Sequence, residues 1–284
     1  MQNVPRPALR TDPSIVRASG VHGGSPPPRV VEIAGARSRR TLPEEVAIAF
    51  TCNGATQAVM MATPADLDDF AVGFLHTEGL TRGVPTIERI DHANGIELRA
   101  WLDDAEAGAL AARRRLAAGP VGCGLCGIES LDQAARDVAT VGEPLATLGD
   151  DDIRDAVLML RDHQPLHRET GATHAAAFHV PGRGIVHVRE DVGRHNALDK
   201  LVGALLRAGV DPRSGAVVLT SRVSVEMVQK TAAFGCPVLI AVSAPTDLAV
   251  RTAETARITL VTNARGGDHR VRCHPHRIEG RTED

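Results

Sequence analysis

The second half of the chain alternates short apolar runs with amphipathic stretches, and this pattern predicts a layered α/β fold. A hairpin signal over residues 175–190 precedes three helix–strand repeats. From the spacing of the apolar residues we interpret six segments as helices 196–206, 225–234 and 247–256 and strands 216–220, 237–243 and 258–262. Repeated units of this kind favour a mostly parallel sheet that helices cover.

The first third of the chain has the alternation of half-buried strands around one amphipathic helix. Two strand-like runs within 44–63 meet at Asn53-Gly54, which is a strong hairpin signal. Thr63 is expected to cap the following helix, with Pro64 at its first helical position. Two further short strands are predicted over 84–102. The helix itself has one apolar stripe, at residues 67, 70, 71, 74 and 75.

Polar residues follow the predicted strands of the second half where the chain leaves each strand. In open α/β sheets, ligands bind at the carboxyl ends of the strands. We therefore expect a binding cleft at one edge of the sheet, formed by Arg189-Glu190-Asp191, Thr220-Ser221-Arg222, Ser243-Ala244-Pro245 and Asn263-Ala264-Arg265.

The composition argues against several classes of partner. The 284 residues have a formal net charge of −3 at pH 7, and aromatic residues make up 2%. This balance argues against duplex DNA, and the scarcity of aromatics argues against stacked single strands, so no nucleic acid partner is expected. No apolar run approaches the roughly 20 residues of a membrane helix. The first residues lack the apolar segment of a signal peptide, so we expect no membrane partner and a cytoplasmic location.

The chain has five cysteines, and an odd number without a signal peptide does not indicate a disulfide framework. Cys123 and Cys126 form a C-x-x-C pair between glycines. This pair is compatible with a structural zinc site, a redox disulfide, a nucleophilic thiol on a mobile arm or an inert loop. The glycines free the backbone, as a sulfur carrier requires. Cys52 and Cys236 are expected to be small buried hydrophobes, and Cys273 to lie in a solvated tail.

A dense polar motif over residues 190–200 lies at a predicted strand-to-helix junction. Free backbone N–H groups at the helix start, with Arg194 beside them, favour an anionic ligand, and His195 can transfer protons. The alternative is a polar helix cap with a salt bridge to Asp191. The next helix begins in a similar way, with Ser221, Arg222, Ser224, Glu226 and Lys230, one of only two lysines in the chain.

The order of hairpin, helix, strand and helix is also that of zinc deaminases, which carry H-x-E on the first helix and P-C-x-x-C on the second. Here His195 is followed by Asn196-Ala197, and the second helix begins with Ser-Arg-Val-Ser and has no cysteine. The layout therefore predicts a deaminase-like fold without the zinc chemistry, and no intrinsic metal.

Several motifs taken together resemble the FdhD family, the formate dehydrogenase accessory sulfurtransferases. The resemblance runs from about residue 45 to residue 265 and includes DFAVGFLHTEGL, CGLCG, TGATHAA, EDVGRHNALDKLVG, SRVSVEMVQK and VSAPTDLAVRTAE. The EDVGRHNALDK string is long and specific, whereas CGLCG alone is a weak signal.

The resemblance implies an α/β fold (α+β overall), with a cytidine-deaminase-like three-layer main domain and a smaller β-rich N-terminal domain. Together with the composition, it predicts four regions. These are a disordered tail over 1–28, a small N-terminal α+β domain over 29–119, a deaminase-like α/β domain over 120–268 with the C-x-x-C loop at its start, and a flexible tail over 269–284.

The resemblance also implies a sulfur carrier. A cysteine desulfurase would load a persulfide onto Cys123, with Cys126 as a helper or alternate carrier, and the sulfur would pass to the molybdenum bis-guanine-dinucleotide cofactor for formate dehydrogenase. This cofactor is bound as a substrate. Its binding residues are expected to be Asn263, Ala264, Arg265, Gly266, Gly267 and Asp268, with Arg194 and Arg222 at the same cleft.

Two other functions stay open from the sequence alone. One is a zinc-dependent nucleoside deaminase, and the other is a non-catalytic cofactor-binding chaperone for formate dehydrogenase. A homodimer is also expected, since two-fold dimers are the commonest oligomers.

Overall fold

A computed structural model of the protein describes residues 30–31, 40–103, 105–108 and 138–282. The predicted disordered tail over 1–28 and the loop with Cys123 and Cys126 lie outside these residues. Two larger sheets and one two-stranded ribbon form within the described ranges. None of the helices in these ranges has both the length and the apolar character needed to cross a membrane.

The N-terminal unit is a four-stranded sheet with one helix, α1 (Leu67–Thr77), on its inner face. The Phe50 ring of the sheet stacks on Phe74 of α1 at 4.2 Å and meets Phe70 edge-on at 4.9 Å. Its strands lie in the order β4-β3-β6-β5. The ribbon and the sheet contain β1 (Val30–Val31), β2 (Arg40–Thr41), β3 (Val46–Cys52), β4 (Ala55–Ala62), β5 (Ile87–His92) and β6 (Gly95–Ala100).

The second half of the chain forms a six-stranded mixed sheet with the strand order β12-β11-β10-β9-β7-β8. The three strands β9, β10 and β11 run parallel, and the β7–β8 hairpin joins them through an antiparallel pairing of β7 with β9. These strands are β7 (His174–Val180), β8 (Gly184–Asp191), β9 (Ala216–Leu219), β10 (Val238–Ala241), β11 (Thr259–Arg265) and β12 (Asp268–Val271).

Helices cover both faces of this sheet, so the predicted three-layer arrangement is confirmed. Alternate residues of β9 serve two separate cores: Val217 and Leu219 face one helical layer, and Val218 faces the other. The first layer contains α4 (Arg194–Arg207), α5 (Val225–Phe234) and α6 (Asp247–Ala256), and the second contains α2 (Asp150–Asp162), which the short α3 (Pro165–Thr170) follows. Both α5 and α6 span the residues predicted for them.

The two units meet where α1 and α4 cross so closely that two positions accept only glycine. A Cβ added at Gly73 would overlap the backbone carbonyl of Asp199, and one added at Gly203 would overlap the carbonyl of Asp69. Each glycine therefore lies directly against the backbone of the opposite helix. The crossing fixes how the N-terminal unit sits on the main unit.

A buried ion pair lies beside this crossing. The Lys200 Nζ is 2.6 Å from Asp191 Oδ2, and both side chains are fully buried. The Lys200 ammonium also donates to the carbonyl of Thr63 at 2.8 Å, while Asn196 donates to Asp191 and to the carbonyl of Met61, both at 2.9 Å. These bonds connect the end of β4 to the start of α4.

The second lysine of the chain occupies a similar position on the other side of the crossing. The Lys230 Nζ donates to Asp199 at 2.9 Å and to Thr77 and Glu78 at 3.0 Å. Burial disfavours its charge, but the carboxylates of Asp199 and Glu78 outweigh burial and raise the pKa of Lys230. The ammonium therefore stays charged and links α1, α4 and α5.

The start of α1 differs from the prediction. The helix begins at Leu67, after Asp66 in the left-handed region at a φ of 53°, and not at Thr63 and Pro64. The Thr63 N–H instead donates to Asp191 at 3.0 Å, and its hydroxyl accepts from the N–H of Val192 at 3.2 Å. Thr63 therefore joins the two units and does not cap α1.

The predicted flexible tail over 269–284 is wrong for residues 269–282, which are folded. Strand β12 pairs with β11, and a short 3-10 helix spans Pro275–Arg277. Cys273 is buried and not solvated, because it packs into the core beside α6, where its thiol donates to the Val250 carbonyl at 3.5 Å. The buried Arg277 guanidinium pairs with Glu143 at 2.7 Å, which fastens the segment to the main unit.

Replacing Gly203 with alanine is expected to destabilise the protein, although alanine favours a helix by about 1 kcal/mol over glycine. The added methyl group overlaps the Asp69 carbonyl and forces α1 and α4 apart, at a cost of roughly 3 kcal/mol. Urea unfolding should show a net loss of about 2 kcal/mol. Gly83→Ala adds its Cβ in open space and should change stability by less than about 0.5 kcal/mol. Equal losses of unfolding free energy in the two variants would show that the backbones of α1 and α4 do not meet closely at Gly203.

Lys200→Met is expected to lower the free energy of unfolding by about 3–5 kcal/mol, because it leaves the buried Asp191 carboxylate without its counter-charge. The matched control is Arg251→Ala, which removes an exposed ion pair with Asp247 on α6. That variant should lose less than about 0.5 kcal/mol. Urea unfolding of both variants checks the comparison, and a Lys200→Met loss as small as that of Arg251→Ala would show that the buried pair is not needed.

Candidate functional site

Polar residues from neighbouring strands meet at one edge of the main sheet. β8, β9, β10 and β11 all run in the same direction, so their carboxyl ends lie at a common edge, as predicted. Backbone hydrogen bonds join the segments there: Val223 N–H donates to the Ala244 carbonyl at 3.2 Å, and Asn263 N–H to the Ser243 carbonyl at 3.1 Å. This edge is the candidate functional site.

The polar motif over 190–200 divides into a structural part and an accessible part. Asp191, Asn196, Asp199 and Lys200 are buried among the contacts between the two units. The predicted salt bridge to Asp191 forms with Lys200, and not with a residue at the start of the helix. Arg194 and His195, in the first turn of α4, are half-buried at the edge, as is Glu190 near the end of β8.

His195 forms a hydrogen-bonded pair with Glu226 across the first turns of α4 and α5. The His195 Nε2 and the Glu226 Oε2 are 2.8 Å apart, and the two side chains are 28% and 27% exposed. The Ser224 hydroxyl also donates to this carboxylate at 3.1 Å. The hydrogen bond from His195 lowers the pKa of Glu226 to about 2, although burial opposes the shift. At neutral pH Glu226 is therefore a carboxylate.

Two further histidines lie near this pair, and the sequence analysis did not single them out. Burial lowers the pKa of His174, and the nearby Arg194 guanidinium lowers it further. Glu190 accepts from the backbone N–H of His167 at 2.8 Å and so holds the start of α3 at the edge. The signal for His174 was its position in the TGATHAA motif, at the start of the predicted hairpin.

A basic pocket of about 630 Å³ lies at the other end of the same edge, around the β11–β12 turn. Gly266 and Gly267 make this turn with φ angles of 65° and 91°, which favour glycine. Asn263 also lies in the left-handed region, at a φ of 55°, which asparagine tolerates better than most side chains. The pocket is lined by Asn263, Arg265, Asp268, His269, Arg270 and Arg272.

The eight residues predicted to bind the cofactor thus separate into groups. Asn263, Arg265 and Asp268 line the basic pocket, whereas the side chain of Ala264 is buried in the core against α2. Arg222 is exposed after β9 and Arg194 lies on α4, and neither lines this pocket. The prediction missed His269, Arg270 and Arg272 because it assigned them to the tail.

The described cysteines are unsuited to nucleophilic chemistry. Burial raises the pKa of the Cys236 thiol to about 12. Burial, together with the nearby Glu254 carboxylate, raises the pKa of Cys273 to about 12 as well. Cys52 is 1% exposed in β3. Cys123 and Cys126, predicted as the catalytic residues, lie outside the described residues.

The geometry does not support the zinc deaminase alternative. No group of three or more His, Cys, Asp or Glu side chains within the described ranges could hold a metal ion. The first turns of α4 and α5 correspond to the helix starts that carry the metal ligands of zinc deaminases. Here those turns hold the hydrogen-bonded His195 and Glu226.

The sequence is similar to a known protein family and to several of its members. The model of the FdhD/NarQ family matches residues 43–279. A "Sulfur carrier protein FdhD" from Agrobacterium fabrum is 54% identical over 246 residues, which cover 86% of this chain and 91% of that protein. A protein of the same name from Bordetella petrii is 44% identical over 277 residues, which cover 95% of each chain.

A crystal structure of a formate dehydrogenase accessory protein from Desulfotalea psychrophila has the same fold. The TM-score is 0.65 at 24% sequence identity, and the match covers 88% of this chain and 97% of that one. The family match spans both sheets and the edge that holds the candidate site. We conclude that the chain belongs to the FdhD/NarQ family.

Proposed function

We propose that this protein is a sulfur carrier that passes persulfide sulfur to the molybdenum bis-guanine-dinucleotide cofactor for formate dehydrogenase. In this proposal a cysteine desulfurase supplies the sulfur, Cys123 carries it, and Cys126 is a helper or alternate carrier. The names of the relatives, which are sulfur carrier proteins, support the carrier role. The activity is that of a sulfurtransferase, in which a thiolate attacks a persulfide and takes over its outer sulfur atom.

The distribution of thiols along the chain carries this proposal. A nucleophilic cysteine must be accessible and must ionise, since the thiolate is the reactive form. Cys236 and Cys273 meet neither condition, and Cys52 is buried in a strand. Of the five cysteines, elimination leaves Cys123 and Cys126, which lie between glycines that free the backbone.

The basic pocket supports a substrate that contains nucleotide phosphates. Arg265, Arg270 and Arg272 bring three guanidinium groups to one pocket, and guanidinium binds phosphate through paired hydrogen bonds. The Asp268 carboxylate adds an acceptor for the N–H groups of a guanine base. The two predicted arginines outside the pocket, Arg194 and Arg222, follow β8 and β9 at the same edge, where a long dinucleotide substrate would extend.

We also propose that the protein acts in the cytoplasm as a homodimer. Cytoplasmic thiols stay reduced, which a persulfide carrier needs, and two-fold dimers are the commonest oligomers. Light scattering of the full-length protein tests the second point. A mass of one chain, close to 30.0 kDa, would reject the dimer.

Incubation of the full-length protein with a cysteine desulfurase and cysteine should add about 32 Da, one sulfur atom, to the chain. Cys123→Ala is expected to lose this adduct and to abolish formate dehydrogenase activity in cells that depend on the protein, while it still binds GDP. Cys273→Ala removes a buried thiol and is the matched control, which should load normally.

Mass spectrometry of the intact chain and the cellular assay give separate readouts of this carrier role. Absence of an adduct on the wild-type chain would favour a cofactor-binding chaperone instead. Full cellular activity of Cys123→Ala would reject Cys123 as the carrier.

Arg265→Ala is expected to weaken GDP binding by roughly 10- to 100-fold, because one charge-assisted contact contributes about 1.5–3 kcal/mol. Titration calorimetry with GDP measures this loss, which should shrink as salt screens the phosphate contacts. Arg251→Ala, an exposed arginine on α6 that does not line the pocket, should bind GDP as the wild type does. Equal affinity of the two variants would show that the nucleotide binds elsewhere.

A further inference from the structure

One side-chain pair at the candidate site, His195 with Glu226, does not line the basic pocket. His195 and Glu226 belong to helices whose neighbouring polar residues, Asp199, Lys200 and Lys230, are buried in the contacts between the two units. The pair instead stays more than a quarter exposed at the carboxyl edge of the sheet. A hydrogen-bonded imidazole and carboxylate held open to solvent at a ligand edge is an arrangement suited to proton transfer.

The hydrogen bonding fixes which ring nitrogen of His195 is available. Glu226 is a carboxylate at neutral pH and can only accept, so the His195 Nε2 must carry the shared proton. In the neutral ring the lone pair therefore lies on Nδ1. Within the described ranges, the one hydrogen bond recorded for the His195 ring is that of Nε2 to Glu226. Nδ1 is free to accept a proton from a bound group.

The surroundings of the pair favour a ligand that becomes negative. Arg194 of α4, His174 of β7 and His167 of α3 bring positive or protonatable groups to the same place. The acidic groups on β8 are already engaged, because Asp191 pairs with Lys200 and Glu190 accepts from the backbone of α3. Glu226 is thus the carboxylate that can balance an imidazolium on His195.

We propose that His195 is the catalytic base of persulfide exchange and that Glu226 is its positioning residue; this inference rests on the proposed sulfur-carrier function. In the exchange, an acceptor thiol loses its proton to His195 Nδ1. The resulting thiolate attacks the outer sulfur of a donor persulfide. One sulfur–sulfur bond forms while the donor's breaks, and the proton passes from His195 to the departing thiolate. No net oxidation occurs, since one persulfide and one thiol give one thiol and one persulfide.

The test uses the full-length protein after a cysteine desulfurase has loaded it with sulfur and has been removed, with dithiothreitol as acceptor. One thiol of dithiothreitol takes the outer sulfur, and its second thiol then displaces that sulfur as hydrogen sulfide while dithiothreitol becomes a cyclic disulfide, so the rate of sulfide release is the readout. His195→Ala is expected to slow the release by about 100-fold or more, as general acid–base catalysis contributes about 10²–10⁴-fold. Added imidazole should restore at least about 10-fold of the lost rate. A structural role of His195 would not produce this rescue.

Three further variants separate the base from its neighbours. Glu226→Gln is expected to slow the exchange by about 10-fold or more, because the imidazolium loses its counter-charge, whereas Glu226→Asp keeps a carboxylate and should recover part of that loss. The matched control is His92→Ala, which removes an imidazole that contacts Glu97 at 3.2 Å in the N-terminal sheet. This control should keep the wild-type rate.

The outcomes distinguish this inference from the proposed function. If the wild-type chain acquires no sulfur at all, the sulfur-carrier function fails and His195 has no exchange to catalyse. If the wild type exchanges sulfur and His195→Ala does so at the same rate, the carrier function stands and the catalytic base is rejected. A slow His195→Ala variant that imidazole does not rescue also rejects the base, because the loss would then be structural.

Discussion

The close crossing of α1 and α4 at Gly73 and Gly203 is the contact on which the rest of the structure depends. Because each glycine touches the backbone of the opposite helix, the crossing brings the polar groups of both units within hydrogen-bonding distance. Asp191 with Lys200 on one side and Asp199 with Lys230 on the other can then bury their charges in pairs. A wider crossing would admit water to both pairs and break the bonds from Lys200 to Thr63 and from Lys230 to Thr77 of the N-terminal unit.

The same crossing explains why one short motif has two roles. An α-helix repeats every 3.6 residues, so Asn196, Asp199, Lys200 and Gly203 share the face of α4 that meets the N-terminal unit. The residues between them face the sheet as an apolar stripe. Only the first turn, with Arg194 and His195, reaches the open edge. The contact face and the candidate site are therefore built from consecutive residues of α4. The rigid packing of that contact face holds Arg194 and His195 in position at the edge.

The sequence predicts the elements of this fold where local patterns decide them. The helices over 225–234 and 247–256 and the turn at Asn53-Gly54 follow from periodicity and from backbone preferences. The sequence-based prediction fails where a residue distant in the chain determines the local structure. Thr63 has the pattern of a helix cap, but its N–H donates to Asp191, 128 residues away. The tail failed for the same reason, since Arg277 depends on Glu143. At the site, the common edge was predictable from the strand order, whereas the pairing of His195 with Glu226 required the packing of α4 against α5.

The burial of Lys200 and Lys230 has a consequence for the surface of the molecule. They are the only lysines in the chain, so the fixed positive charge of the folded side-chain surface comes from guanidinium groups. Such a surface cannot be neutralised by acetylation, and it keeps its charge at any pH at which the protein folds. Amine-directed cross-linkers would find no accessible lysine on the native protein. Physical contacts with other proteins are therefore better mapped through carboxylates or by light-activated reagents.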